Sequence, residues 1–119
     1  MTYNFGDIVL VDFPFSSNIG IKKRPAVVIS KIEFNKIKED IVLLAITSKI
    51  DNLSIGEALL KDWKEAGLVK PSAFKSVIFT VEKEFIDKSI GKLTDIDKNI
   101  LLPCLKQIIQ CNGWQLLFF

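Results

Sequence analysis

The chain has 119 residues, of which 49% are hydrophobic and 25% charged, with 16 Lys and Arg against 14 Asp and Glu for a net charge of +2. That balance fits one folded domain with one core and excludes both a disordered tail and a histone-like polycation, so any anion-binding surface has to be local. No apolar run approaches the ~20 residues of a membrane helix and the N-terminus has no signal-peptide pattern, so a soluble, cytoplasmic protein with no membrane partner is expected.

The first predicted element is a strand over 7–13, Asp7-Ile8-Val9-Leu10-Val11-Asp12-Phe13. Ile8 and Leu10 fall on one face and Val9, Val11 and Phe13 on the other, so this strand needs cover on both sides. Gly6 and Pro14 mark its ends. Residues 15–20, with Ser16, Ser17, Asn18 and Gly20, read as a surface loop of the kind that covers sites. The loop leads into Lys22-Lys23-Arg24-Pro25-Ala26-Val27-Val28-Ile29-Ser30, where three cations end at a proline that opens a buried strand over 26–29. Pro25 fixes its own φ and pushes Arg24 towards an extended conformation, which would hold the guanidinium at the mouth of a stiff platform. A solvated basic loop feeding a strand gives the same pattern.

Residues 33–40 read as a connector, and 41–46 as a third strand buried on both faces. It stops at Thr47-Ser48, two hydroxyls at an open strand end like the one that carries Arg24. The two ends can converge on one cleft, or the hydroxyls can simply form an ST turn. An edge strand is predicted over 56–60, then a turn over 61–67 with Trp63 packed on the core. The strand pattern returns over 72–81, as one long bent strand or two short ones, with Lys75 its only basic side chain. Residues 84–88 look like a short helical turn and 90–93 like an extended closing segment.

Thr94-Asp95-Ile96-Asp97 has capping-box spacing. Ile100, Leu101, Cys104, Leu105, Ile108 and Ile109 then form the apolar face of a C-terminal helix, which Pro103 should kink or divide. Cys104 and Cys111 would stand about 10 Å apart on that helix, beyond disulfide reach. With no histidine and no C-x-x-C pair, no zinc or other metal site is expected. The lack of histidine also removes the usual proton carrier of a serine-hydrolase triad or a two-histidine ribonuclease, leaving Arg, Lys, carboxylates and hydroxyls for any catalysis. Residues 113–119, Gly-Trp-Gln-Leu-Leu-Phe-Phe, are too apolar to hang in water, and should extend the core, meet a partner or form an aggregation-prone end. The sum is a mainly β (α+β) fold, a small barrel or curled sheet with the helix packed on it.

In order and spacing, Gly6 to Phe13, Lys23 to Ser30, Ala45-Ile46-Thr47-Ser48, Ala66-Gly67-Leu68-Val69-Lys70-Pro71-Ser72, Phe79-Thr80-Val81 and Ile90-Gly91-Lys92-Leu93-Thr94 resemble the MazF/PemK family of toxin endoribonucleases, over roughly residues 5–110. The resemblance implies an SH3-like antiparallel β-barrel with a C-terminal helix, one such domain over residues 1–119, and a homodimer. It also implies the toxin half of a type II toxin–antitoxin pair, with the cognate antitoxin occupying the RNA groove. The implied activity is sequence-selective cleavage of single-stranded RNA without metal or other cofactor. Arg24 matches the family's catalytic arginine and Thr47 its catalytic hydroxyl, while Lys22, Lys23, Asn18, Ser48 and Lys75 are the candidate substrate contacts. The chain departs from the pattern over 74–78, where many relatives carry an arginine or acidic residue and this chain is about one residue shorter. Lys75 is the nearest substitute there.

Elementary chemistry is compatible with those roles. Attack of an RNA 2′-oxygen on the adjacent phosphate gathers negative charge on the non-bridging oxygens, which a fixed guanidinium stabilises through paired hydrogen bonds. Thr47 can donate to the same oxygens or orient the nucleophile. The leaving oxygen takes its proton from Arg24, given strong help from its surroundings, or from water. Two other readings compete: a CcdB-like toxin that binds DNA gyrase through the same barrel, against which the Arg-Pro and Thr-Ser pairs argue, and a non-catalytic SH3-like binding module.

Overall fold

Strands that are apolar at consecutive positions have to be covered on both faces, and the fold meets that demand with two separate hydrophobic clusters. The computed structural model describes residues 2–14 and 21–110. It contains β1 (Asp7–Pro14), β2 (Ile21–Val28), α1 (Ile32–Ile37), β3 (Asp40–Thr47), β4 (Ala58–Leu59), β5 (Ala73–Glu82), a 3₁₀ turn (Lys83–Phe85), β6 (Ile86–Lys92) and α2 (Asp95–Ile108). The strands form one antiparallel sheet in the order β4-β5-β3-β2-β1-β6. One face, with Ile8, Val27, Leu44, Ile46 and Phe74, packs with Leu101 and Cys104 of α2 and with Leu60, Ala66 and Leu68. The other face gathers Val9, Val11, Ala26, Val28, Ile41 and Leu43 with Tyr3 and Ile86.

The mainly β, antiparallel fold with one C-terminal helix is as expected; among the described residues the curled sheet has β4 and β6 at its edges. Several local expectations are corrected. The basic triplet is not a loop that feeds a strand: β2 begins at Ile21, and Lys22, Lys23 and Arg24 pair with Phe13, Asp12 and Val11 of β1. The expected connector contains α1, which is fastened by the buried Asn35. The Asn35 amide donates to the carbonyls of Tyr3 (2.9 Å) and Ser30 (3.1 Å), and its oxygen accepts from the Ser30 hydroxyl. The helical turn predicted over 84–88 is a 3₁₀ turn that ends at Phe85, and β6 takes over from Ile86. Residues 15–20, which include Asn18, and the tail over 113–119 lie outside the described residues, as does Cys111.

At α2, Thr94 caps the helix by accepting from the Asp97 N–H at 3.3 Å. Asp97 does not complete the predicted capping box. Its fully buried carboxylate instead accepts from the main-chain N–H groups of Lys61 (2.7 Å) and Asp62 (2.9 Å), while the Thr94 hydroxyl donates to Asp62 at 2.7 Å. Pro103 does not divide the helix, which runs from Asp95 to Ile108. Asn99, whose carbonyl loses its intrahelical donor to this proline, is exposed, so water can replace that bond.

The segment between β4 and β5 is pressed onto β6 without room for a side chain. A Cβ on Gly67 would stand 2.1 Å from the Ile90 carbonyl oxygen, one on Gly91 would stand 2.1 Å from that of Ala66, and Gly67 has a φ of +92°. Only glycine permits this approach. It fixes the position of Leu68, Val69 and Lys70, which follow at once.

Two outcomes are expected. Replacing Asp97 with Ala strands two main-chain donors in the core and should cost about 2–4 kcal/mol in urea unfolding, with Asn recovering part of it. Burial pushes the Cys104 thiol up, with the Glu57 charge adding to it. Cys104 should therefore resist iodoacetamide at pH 8 in the folded protein and react once guanidinium unfolds it; labelling of the native chain at its peptide would contradict this assignment.

Candidate active site

The β2–β3 register determines what meets at the open end of the sheet. Ala26 pairs with Ala45, Val27 with Leu44 and Val28 with Leu43. Continued by two residues past Ala26 and Ala45, that register sets Arg24 opposite Thr47, on the same face as both. Two clefts open there. The smaller, of about 290 Å³, is lined by Lys22, Lys23, Arg24, Pro25, Ile46, Thr47, Ser48, Lys49, Leu68, Val69, Lys70 and Ser72. The larger, of about 680 Å³, is lined by Arg24, Pro25, Ala45, Ile46, Thr47, Lys49, Lys75, Val77, Phe79, Thr80 and Val81. Arg24 and Thr47 therefore stand on the wall common to both. Neither lining includes a carboxylate, although the whole chain has 14 acidic residues.

Most of the residues singled out from the sequence come together here. Lys22 and Ser48 line the smaller cleft and Lys75 the larger. Lys23 also lines the smaller cleft, but its ammonium is committed elsewhere: it lies 2.8 Å from Asp12 and 3.3 Å from Asp87, and the hydrogen bond to Asp12 raises its pKa first of all. Thr47 both lines the two clefts and forms the ST turn. Its Oγ1 accepts from the Lys49 N–H at 3.1 Å, which is the ST turn, and that bond orients the hydroxyl so that its proton is left for another acceptor.

The sequence reading missed Lys49, which lines both clefts, and Lys70, which lines the smaller one. A signal existed for each. Lys49 follows Thr47-Ser48 directly, and Lys70 lies within Ala66 to Ser72, a stretch already singled out.

Lys75 lies within a bulge of β5. Leu44 pairs with Ile78 and Ile46 with Phe74, so three residues of β5 face one of β3. Bulges re-aim side chains, and here Lys75 and Val77, on either side of Ser76, both line the larger cleft. At the far end of the same strands the charge reverses. Asp40 pairs with Glu82, and the hydrogen bond and charge of Glu84 push the Glu82 carboxyl above its usual range, with Asp40 and Glu39 adding to it.

Chemically, the arrangement offers a guanidinium and an oriented hydroxyl amid lysines, above an apolar floor. It suits a phosphate diester whose flanking groups extend to either side. Among the described residues no group of His, Cys, Asp or Glu could hold a metal ion, and no helix is long and apolar enough to cross a membrane.

Comparison with known proteins agrees with the fold. Similar solved structures include an endoribonuclease in complex with its cognate antitoxin from a mycobacterial species, at 14% identity, covering 88% of this chain and 92% of that one with a TM-score of 0.73. The Mycobacterium tuberculosis toxin MazF-mt6 is 16% identical over 89% of this chain and 98% of its own, with a TM-score of 0.72. A MazE–MazF structure from Deinococcus radiodurans gives 15% identity over 91% and 93%, also with a TM-score of 0.72. At such identities the likeness speaks to the fold alone. No curated protein sequence is significantly similar to the chain. The model of the PemK-like, MazF-like toxins of type II toxin–antitoxin systems matches residues 4–109, a span that contains both clefts and nearly the whole chain, and to that family the chain belongs.

Proposed function

We propose that the protein is a sequence-selective endoribonuclease that cleaves single-stranded RNA without a metal ion, acting as the toxin of a type II toxin–antitoxin pair. The observation that carries this reading is that Arg24 and Thr47 share the wall between two clefts lined by cations and by no carboxylate. The scissile phosphate lies at that wall. The RNA 2′-hydroxyl gives its proton to water as its oxygen attacks phosphorus, the P–O5′ bond breaks with the 5′-oxygen taking a proton from water, and the products carry 2′,3′-cyclic phosphate and 5′-hydroxyl ends. Arg24 stabilises the charge that builds on the non-bridging oxygens, and the Thr47 proton, directed by the bond from Lys49, donates to one of them.

With guanidinium and ammonium groups neutralising the phosphate, the site needs no metal for charge compensation. Lys22, Ser48, Lys49 and Lys70 hold the chain on one side. Lys75, with the apolar wall of Val77 and Phe79, holds it on the other, where an unstacked base of a single strand can lie. The protein acts as a homodimer, and its cognate antitoxin silences it by filling the same clefts; a similar structure, described as an endoribonuclease in complex with its cognate antitoxin, supports that partnership.

Arg24→Ala should lower kcat on a long RNA by about 10²–10³-fold with an unchanged thermal midpoint, and Thr47→Ala by about tenfold or more. EDTA should leave the wild-type rate alone. A purified Arg24→Ala protein that cuts as fast as wild type would sink the assignment, and products without cyclic phosphate ends would sink the mechanism. Salt dependence tests the cations separately, using a 2′-deoxy-substituted oligonucleotide that cannot be cut. Lys49→Ala or Lys70→Ala should reduce the slope of log affinity against log salt by about 0.7 each, and Lys23→Ala by much less, because Asp12 and Asp87 already neutralise that lysine.

A further inference from the structure

The bulge in β5 leaves a main-chain donor to be satisfied. Three β5 residues, Lys75 to Val77, stand opposite the single residue Ala45, so the regular ladder to β3 is interrupted at Ser76. On the other side β4 is only Ala58–Leu59, and its pairing with β5 stops at Ala58 and Phe74. The next partner of Ser76 in that register would be Gly56, which lies outside the strand. A carboxylate takes the place of the missing strand: Glu57 Oε2 accepts from both the Ser76 N–H and the Ser76 hydroxyl, at 3.2 Å each, and Oε1 accepts from the Ser54 N–H at 2.9 Å.

The turn that carries Glu57 is itself fixed from below. Gly56 has a φ of +79° and donates its N–H to Gln107 of α2 at 2.7 Å. A Cβ on it would stand 2.8 Å from Ile108 and 3.3 Å from Ser76. Residues Lys75 and Val77 alternate with Ser76 along the strand, so drawing Ser76 to the back of the sheet turns those two towards the larger cleft, which both of them line.

We propose that Glu57 is a positioning residue for the larger cleft: by gripping Ser76 it holds the bulge that presents Lys75 and Val77, and so sets the affinity for the stretch of RNA on that side without touching the reacting phosphate. The proposal rests on the nuclease reading for the identity of the ligand, but its structural half does not. The donors that hold Glu57 ionised are the N–H groups of Ser54 and Ser76, and they keep its carboxyl below the usual range, with the Lys75 charge contributing as well. A charged acceptor makes the stronger grip.

The test uses the full chain and the variants Glu57→Ala, Glu57→Gln, Lys75→Ala and the Glu57→Ala/Lys75→Ala pair. Amide hydrogen exchange at Ser76 and Val77 is read first, then kcat and KM on an RNA spanning a mapped cut site, then anisotropy binding of its 2′-deoxy-substituted analogue. In Glu57→Ala, exchange at both amides should accelerate at least about tenfold, and KM and the analogue's Kd should rise about five- to tenfold while kcat stays within about twofold. Glu57→Gln, which keeps an acceptor, should recover about half of that loss on a logarithmic scale. In the double variant the KM should rise much less than the product of the two single effects, because both act through the same bulged segment. Unchanged exchange at Ser76, a fall in kcat with KM intact, or additive effects of Glu57→Ala and Lys75→Ala would each overturn the proposal. A wild-type protein that cuts no RNA overturns the nuclease reading alone if exchange and analogue binding still respond to Glu57, and overturns both if analogue binding does not respond.

Discussion

Everything at the candidate site depends on the register between β2 and β3. Because side chains alternate across a strand, a slip of one residue would send Arg24 to the far face and part it from Thr47. What forbids the slip is packing. Ala26 and Val28 meet Ile41 and Leu43 in one hydrophobic cluster while Val27 meets Leu44 and Ile46 in the other, so neither strand can move without exposing apolar surface on both faces. Core residues away from the clefts thus fix the relation between Arg24 and Thr47, which sit on strand ends that continue directly out of the core.

The clefts on either side of that pair are walled by different means. On the smaller side, Leu68, Val69 and Lys70 are supplied by a loop locked through the Gly67–Gly91 backbone contact, where shape does the work. On the larger side, Lys75 and Val77 come from an irregular strand whose spare donor is met by a side chain, where hydrogen bonding does the work. The basic triplet is divided as well: Lys22 and Arg24 line the clefts, while the Lys23 ammonium ties β2 to Asp12 of β1 and Asp87 of β6.

Much of this was legible in the sequence, and the parts that were not share a cause. The doubly apolar runs over 7–13 and 41–46, the capping threonine at 94 and the Arg-Pro and Thr-Ser pairs are local signals, and local chemistry is enough to read them. The start of β2 was missed because the apolar pattern begins at Ala26, whereas the strand is held from Ile21 by main-chain pairing to β1, to which side-chain type is silent. Helix α1 was missed because its anchor, Asn35, bonds to Tyr3, 32 positions away. Asp97 has capping-box spacing, but its carboxylate is claimed by Lys61 and Asp62, which only the tertiary fold brings near. The bulge around Lys75 and the Glu57 contact to Ser76 leave no trace in periodicity. Of the site residues, Arg24 and Thr47 were readable by motif, whereas Lys49 and Lys70 required knowing which loops face the same opening.

Strand β3 begins among carboxylates at Asp40 and ends among ammonium groups at Thr47, a span of about 24 Å for eight extended residues. A molecule whose overall charge is nearly balanced therefore carries opposite local charge at the two ends of this strand. A polyanion diffusing nearby is attracted at the cleft end and repelled at the acidic one before it makes any contact. Because ions in solution damp such a field within about 8 Å at physiological ionic strength, the rate of productive encounter responds to salt even where the final contacts are few.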